Sequence, residues 1–188
     1  MRLVLRLNEI FYEHPQLKEV GSDILCCKFL TPKGVEMLIT CIEASGEWTS
    51  NHRDKEYFTQ DLHLKTNFPD LYEILQEHLE TEIYPLAQEF WEIHDFEVVN
   101  MFVVRYTLDT QTNLKAHHDT SFITGSVKLN DNYEGAILNF PKKGYDNQQV
   151  AVGDLLLWPG NITHLHECTE LVQGKKYALT IWTEECTE

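Results

Sequence analysis

Apolar residues begin to recur at helical spacing shortly after residue 30. Thr31 supplies a capping hydroxyl and Pro32 stands at the first turn, two features that favour the start of a helix. The apolar face that follows consists of Val35, Leu38, Ile39 and Ile42. The sequence therefore predicts a helix that begins at Thr31 and ends near Ser45 and Gly46.

A second helical pattern begins at Asp70, directly after Pro69. One face of this segment carries Leu71, Ile74, Leu75, His78, Leu79 and Ile83. Pro85 lacks the backbone N–H that a helix interior needs, so we expect it to kink or interrupt the helix before residues 86–91. Residues 1–7 alternate apolar and charged side chains, which predicts a strand.

From Phe96 onward, short runs of β-branched and aromatic residues replace the helical pattern, with glycine and asparagine between them. The predicted strands are 98–107, 122–129, 136–140, 148–152, 155–158, 164–167 and 177–183. Short strands at close intervals are typical of a two-sheet sandwich or a jelly-roll barrel. We therefore expect one mainly β domain over residues 1–188, in which a helical buttress at about 30–93 packs on one sheet of a core at about 96–185.

The composition indicates a folded protein, and its charge favours some partners over others. The 188 residues are 43% hydrophobic, which suits one domain with one site. A formal net charge of −15 opposes nucleic-acid binding and favours a basic peptide. No run approaches the ~18 apolar residues of a membrane span. The five cysteines show no CxxC spacing and no secretory signal precedes them, so we expect reduced thiols and a cytoplasmic location.

Four of the nine histidines lie in two tight groups in the β half of the chain. In a strand, residues two apart face the same way, so His117 and Asp119 can both point inward while His118 turns away. Either His164 or His166, on a later strand, can supply a third metal ligand. Two histidines and one carboxylate leave open coordination positions, an arrangement that non-haem Fe(II) oxygenases use.

Oxygenases that use 2-oxoglutarate also need a cation to hold the carboxylate that lies far from the metal. Lys176 follows His166 by ten residues at the start of an apolar strand. A turn at residues 173–174 would return that strand beside the metal. Tyr106, eleven residues before His117, can add a phenol hydrogen bond to the same carboxylate.

Further motifs extend over most of the chain. They are residues 46–48, 61–65, 102–106, 113–119, 133–135, 158–160 and 163–167. Together they resemble the catalytic C-terminal domain of procollagen lysyl hydroxylases, within the prolyl 4-hydroxylase-like group of Fe(II)/2-oxoglutarate dioxygenases. The resemblance implies a double-stranded β-helix with His117, Asp119 and His166 on iron. It also implies that Lys176 and Tyr106 bind 2-oxoglutarate.

The resemblance selects His166 over His164, because lysyl and prolyl hydroxylases place a basic residue ten positions after the ligand. Lys176 stands where the lysyl hydroxylases have arginine, and it keeps the positive charge. Ser126 takes the place of an asparagine beside the cosubstrate, and Leu138 belongs to an apolar segment that replaces a glycine run. We expect both residues in the cosubstrate pocket. Further candidate wall residues are Leu156 and Trp182.

The implied activity is hydroxylation of an unactivated C–H bond. The reaction would use bound Fe(II), consume 2-oxoglutarate and O2, and release succinate and CO2. Ascorbate is a candidate accessory cofactor. The hypothesised substrate is a peptidyl lysine, and the alternatives within the same chemistry are a prolyl residue and a free amino acid. Two other classes are a zinc hydrolase, for which Glu167 would have to activate water, and a non-catalytic cupin-like metal-binding module.

Overall fold

The computed structural model describes residues 7–45, 47–50 and 57–186. The helices are α1 (Leu7–Ile10), α2 (Pro32–Ser45), α3 (Leu64–Asn67), α4 (Pro69–His78) and α5 (Tyr84–Trp91). The hydroxyl oxygen of Thr31 caps α2 by accepting the Gly34 N–H at 3.1 Å, as predicted. A π-helical turn at Leu79–Ile83 joins α4 to α5, which confirms an interruption near Pro85. None of the helices in this part of the chain has the length and apolar character of a membrane span.

The described strands form two sheets. Their bounds are β1 (Lys18–Gly21), β2 (Ile24–Lys28), β3 (Thr49–Ser50), β4 (Gln60–His63), β5 (Phe96–Thr107), β6 (Leu114–His117), β7 (Ile123–Lys128), β8 (Tyr133–Gly135), β9 (Leu138–Phe140), β10 (Tyr145–Asp146), β11 (Asp154–Pro159), β12 (His166–Cys168) and β13 (Leu171–Glu185). The major sheet has the order β1-β2-β11-β7-β13-β5-β4-β3, with β8 also on β13, and the minor sheet has the order β10-β9-β12-β6. All described pairs are antiparallel, and the architecture is the double-stranded β-helix that the resemblance implied.

The strand pattern differs from the prediction in the first third of the chain. Strands β1 and β2 extend the major sheet at one end and β3 and β4 extend it at the other, although the sequence pattern predicted none of them. The segment expected to be a helical buttress therefore also supplies β3 and β4. The strand predicted at residues 1–7 lies outside the described residues apart from Leu7, which begins α1.

Two predictions in the second half are wrong. Residues 148–152 form turns, because the Asp146 carboxylate accepts the Gln148 N–H at 2.9 Å and the Asn147 carbonyl accepts the Val150 N–H at 3.1 Å. The turn expected at residues 173–174 is instead part of β13. Gly174 has φ +84°, and a Cβ there would lie 2.7 Å from the Asn132 carbonyl oxygen, so glycine permits the close approach of the segment that leads into β8.

The core has a different character on each face of the major sheet. On the outer face, Val103 of β5 and Leu179 of β13 are fully buried in one apolar cluster with residues of α2, α4 and α5. This confirms that the helices pack on one sheet. Their neighbours along each strand, Val104 and Ala178, point to the opposite face and line the space between the two sheets.

Candidate metal and cosubstrate site

Three potential metal ligands converge where β6 and β12 lie side by side. β6 ends at His117 and β12 begins at His166, and these two histidines are register partners. Asp119 follows in the loop after β6, where its backbone N–H donates to the Gly160 carbonyl at 3.1 Å. The His117 Nε2 atom lies 3.5 Å from Asp119 Oδ1, and the His166 Nε2 atom lies 3.4 Å from Oδ2.

The spacing of these ligand atoms suits a metal ion. One ligand atom from each residue can be chosen so that all three lie within 4.8 Å of one another. A first-row metal that binds nitrogen and oxygen at about 2.1 Å requires adjacent ligand atoms about 3 Å apart in octahedral geometry. Two of the separations within the triad, 3.5 and 3.4 Å, are close to this value.

Hydrogen bonds orient each ligand from behind. The Nδ1 atom of His117 lies 2.7 Å from the Lys115 carbonyl oxygen, and Nδ1 of His166 lies 2.9 Å from the His164 carbonyl oxygen. Because a carbonyl only accepts, each Nδ1 carries a proton, and in the neutral ring each Nε2 presents its lone pair to the metal position. The Thr124 hydroxyl donates to Asp119 Oδ2 at 2.8 Å.

Electrostatics keeps the carboxylate in the form that binds a cation. Burial raises the pKa of Asp119, but the hydrogen bond from His117, the charge of His166 and the hydrogen bond from Thr124 together lower the pKa below its ordinary value. Burial lowers the pKa of His166, which favours its neutral, metal-binding form. For His117, burial acts in the same direction, but hydrogen bonds to Asp119 and the Lys115 carbonyl raise its pKa.

His164, the histidine that the resemblance did not select as a ligand, lies outside the triad. Its side chain is fully buried, with Nε2 2.9 Å from the Ser22 carbonyl oxygen and Nδ1 2.8 Å from the Thr163 hydroxyl. The ring therefore ties the loop before β12 to the turn between β1 and β2. Only the backbone carbonyl of His164 reaches the triad, through its hydrogen bond with His166.

A cavity of about 900 Å³ lies between the sheets and borders the triad. Its wall includes all the residues that were predicted for the cosubstrate pocket: Tyr106, Ser126, Leu138 and Lys176. Trp182 also lines the cavity. Leu156 does not line it, because its side chain packs in the apolar cluster of Phe140 and Trp158.

Lys176 is a buried cation at one end of this cavity. The residue is 3% exposed and is the register partner of Tyr106. Its ammonium donates to the Ala136 carbonyl at 2.7 Å and lies 3.5 Å from the Cys168 sulfur and 5.1 Å from the centre of the Tyr106 ring. Within the described residues no carboxylate forms an ion pair with it. A buried charge without a counter-ion is unfavourable, so this end of the cavity suits the carboxylate of a bound ligand.

Tyr106 remains a hydrogen-bond donor in this environment. Burial, followed by the neighbouring Cys168 thiol, raises the pKa of Tyr106 well above its ordinary value. The phenol therefore keeps its proton, and it can donate to a carboxylate that Lys176 holds.

Thr124, Cys168 and Asp61 line the cavity, but sequence reasoning did not single them out. Strand alternation could have found two of them, since Thr124 lies two residues before Ser126 and Cys168 lies two residues after His166. Asp61 lies on β4, a strand that the sequence pattern missed, and it stood out only as part of a longer motif. The pairing of β4 with β5 brings it to the cavity.

Comparison of the fold with solved structures identifies the class of protein that the fold represents. The viral collagen prolyl hydroxylase of Paramecium bursaria Chlorella virus-1 covers 89% of this chain and 98% of its own, with a TM-score of 0.61 and 16% identity. A prolyl-4-hydroxylase of Pseudomonas putida covers 83% of this chain and 89% of its own, with a TM-score of 0.62 and 16% identity. The chain has the fold of the prolyl 4-hydroxylase-like 2-oxoglutarate–Fe(II) oxygenases.

Sequence comparison points to a particular branch of that class. A multifunctional procollagen lysine hydroxylase and glycosyltransferase of Rattus norvegicus is 28% identical over 176 residues, which cover 86% of this chain. The human procollagen-lysine,2-oxoglutarate 5-dioxygenase 2 is 25% identical over 184 residues, which cover 90% of this chain. The matches span 23% and 24% of the length of these relatives. No family model matches the chain. The comparisons confirm the resemblance to the procollagen lysyl hydroxylases.

Proposed function

We propose that the protein is an Fe(II)- and 2-oxoglutarate-dependent dioxygenase that hydroxylates an unactivated C–H bond of a peptidyl lysine. The observation that carries the proposal is that a triad with the spacing of metal ligands lines the same cavity as Lys176, a buried cation with no carboxylate partner among the described residues. When bound, Fe(II), 2-oxoglutarate and O2 supply the oxidation. One oxygen atom becomes the substrate hydroxyl and the other enters succinate, while 2-oxoglutarate loses CO2.

The protein side chains bind and orient the reactants. His117, Asp119 and His166 hold the iron, and their hydrogen bonds to backbone carbonyls and Thr124 fix their orientation in advance. Lys176 binds the carboxylate of 2-oxoglutarate that lies far from the metal, and Tyr106 donates a second hydrogen bond to it. Ser126 and Leu138 form part of the cosubstrate wall. The substrate C–H bond must then lie close to the iron, in a site that excludes competing water.

The choice of lysine rests on the names of the sequence relatives and on charge. The relatives that match most of this chain are procollagen lysine hydroxylases, and a net charge of −15 attracts a cationic peptide. The zinc hydrolase alternative needs a free carboxylate beside the metal, but Glu167 accepts a hydrogen bond from the Asn139 amide at 2.8 Å. Ascorbate as an accessory cofactor stays a prediction.

The test is turnover of collagen-like peptides that contain Gly-X-Lys or Gly-X-Pro, with Fe(II), 2-oxoglutarate and O2. We expect succinate, together with a mass gain of one oxygen atom on the lysine peptide. His117→Ala and Asp119→Ala should reduce both signals by about 100-fold or more, since each removes a metal ligand. If only the proline peptide gained a hydroxyl, the substrate would be a prolyl residue and not a lysine. The absence of succinate from the wild-type protein would leave the non-catalytic metal-binding module as the better interpretation.

We also propose that the protein works in a reducing, cytoplasmic environment. The cysteines that the structure describes, Cys26, Cys27, Cys41, Cys168 and Cys186, are all free thiols. Burial raises the pKa of Cys26 to about 11 and the pKa of Cys27 to about 12, so both remain protonated near neutral pH. These features support reduced, unreactive thiols.

A further inference from the structure

The cavity wall contains a second buried charge, which the proposed iron and cosubstrate chemistry does not use. Asp61 of β4 is 9% exposed and lines the cavity. Its Oδ2 atom accepts a hydrogen bond from the Thr59 hydroxyl at 2.8 Å, whereas Oδ1 is buried and has no hydrogen-bond partner among the described residues. A buried carboxylate oxygen without a donor is unfavourable and calls for an explanation.

Strand register places Asp61 beside the cosubstrate end of the cavity. Asp61 pairs with Val104 of β5, and Val104 pairs with Ala178 of β13. These three residues form one row across the inner face of the major sheet. Tyr106 and Lys176 pair with each other two positions further along the same strands, so they form the next inward-facing row.

The segment that leads into β4 also borders the metal triad. The ring of Tyr57 lies 5.9 Å from the ring of His117, measured between centroids. Tyr57, Thr59 and Asp61 all line the cavity. A ligand that extends from the metal along this segment would therefore meet the Asp61 carboxylate.

The two buried charges of the cavity do not neutralise each other. The Lys176 ammonium donates to the Ala136 carbonyl, and no lysine or arginine of the described ranges forms an ion pair with Asp61. Burial raises the pKa of Asp61, while its hydrogen bond with Thr59 and the charge of His63 act against this. Opposite charges that stay apart in one cavity suit two ligands, an anion at Lys176 and a cation at Asp61.

We propose that Asp61 determines substrate specificity by receiving the ε-ammonium of the substrate lysine. This inference rests on the proposed function and adds the residue that selects lysine. An ammonium has three N–H donors, and it supplies the partner that Oδ1 lacks. A neutral side chain of the same length leaves the carboxylate buried and unpaired, so it is rejected.

The test compares Asp61→Asn with the wild-type protein on two matched peptides, one with lysine and one with norleucine, which lacks the ammonium. Peptide affinity is measured without O2 on the protein loaded with Fe(II) and 2-oxoglutarate, so that binding is separated from turnover. We expect wild type to prefer the lysine peptide by about tenfold or more, and Asp61→Asn to lose that preference. The affinity for 2-oxoglutarate should not change. Asp61→Glu should recover part of the preference, because it restores the charge.

Asp109→Asn is the matched control, because it removes the same charge from an exposed residue that does not line the cavity. It should leave the affinity for both peptides unchanged. Equal affinity of wild type for the two peptides, or an unchanged preference in Asp61→Asn, would overturn the role of Asp61. A parallel loss of 2-oxoglutarate binding and thermal stability in Asp61→Asn would also overturn it, by showing a structural role. Lysine preference without succinate formation in air would support Asp61 while contradicting the dioxygenase activity.

Discussion

The two faces of the major sheet are built from the same strands, yet they carry different properties. On β13, Leu179 and Ile181 face the helices and are fully buried among apolar residues. Lys176 and Thr180 of the same strand face the cavity. The outer face thus resembles an ordinary hydrophobic core, while the inner face buries polar groups, among them Lys176, which forms no ion pair with a carboxylate of the described residues. The alternation of side chains along a strand separates stability from chemistry at neighbouring positions.

The largest effect is expected for a substitution on the outer face, and it concerns the free energy of unfolding. Leu179→Ala should lower the free energy of unfolding by about 2–5 kcal/mol, because it removes a fully buried side chain and leaves a cavity. Urea denaturation of the metal-free protein measures this loss. The affinity of the folded variant for 2-oxoglutarate should match that of wild type. Weaker 2-oxoglutarate binding by the folded variant would show that the two faces are coupled.

The converse change, a substitution on the inner face, should weaken ligand binding without lowering the stability of the fold. Lys176→Met should weaken 2-oxoglutarate binding by about tenfold or more, since the buried carboxylate of the cosubstrate loses its cation. Without ligand, the variant should be at least as stable as wild type, because an unpaired buried charge has been replaced with an apolar side chain. Calorimetric titration and thermal unfolding give the two values. Lys176→Arg is the control that keeps the charge and should retain much of the affinity.

The smallest expected effect is on the pH dependence of stability, and it involves His78 of α4. His78 stacks on Phe11 at 3.9 Å between ring centroids, and its Nε2 is buried without a hydrogen-bond partner in the described part of the chain. Burial lowers the pKa of His78 below 6.5, so the unfolded chain binds the proton more readily. Stability from this group is therefore fully present above pH 6.5 and declines as the pH falls below that value.

His78→Phe keeps an aromatic ring against Phe11 and removes the titration. Denaturation curves measured at several pH values should show a weaker loss of stability below pH 6.5 than in wild type. The affinity for 2-oxoglutarate should stay unchanged, because His78 does not line the site cavity. An identical pH dependence in both proteins would contradict the assignment.

Much of the site could be predicted because its signals are local or follow strand periodicity. The spacing of His117 and Asp119, the late position of His166 and the start of an apolar strand at Lys176 are all visible in one dimension. The structure brings these residues to one cavity. Sequence reasoning failed where hydrogen bonds between distant segments decide the outcome. Strand β4 forms because it pairs with β3 and β5. The turns at 148–152 form because polar side chains compete with a strand for backbone groups.

The sequence by itself determined the mainly β fold class, the helical buttress, the residues that can bind a metal and the lysine that can bind a carboxylate. Hydrophobic periodicity and residue chemistry are properties of the chain, so they need no knowledge of distant neighbours. Only the tertiary structure decided that His164 supports the triad through its backbone carbonyl, and that Asp61 lies in the same cavity as Lys176. These outcomes depend on which strands pair and in which register, and a shift of one residue would turn each side chain to the other face of the sheet.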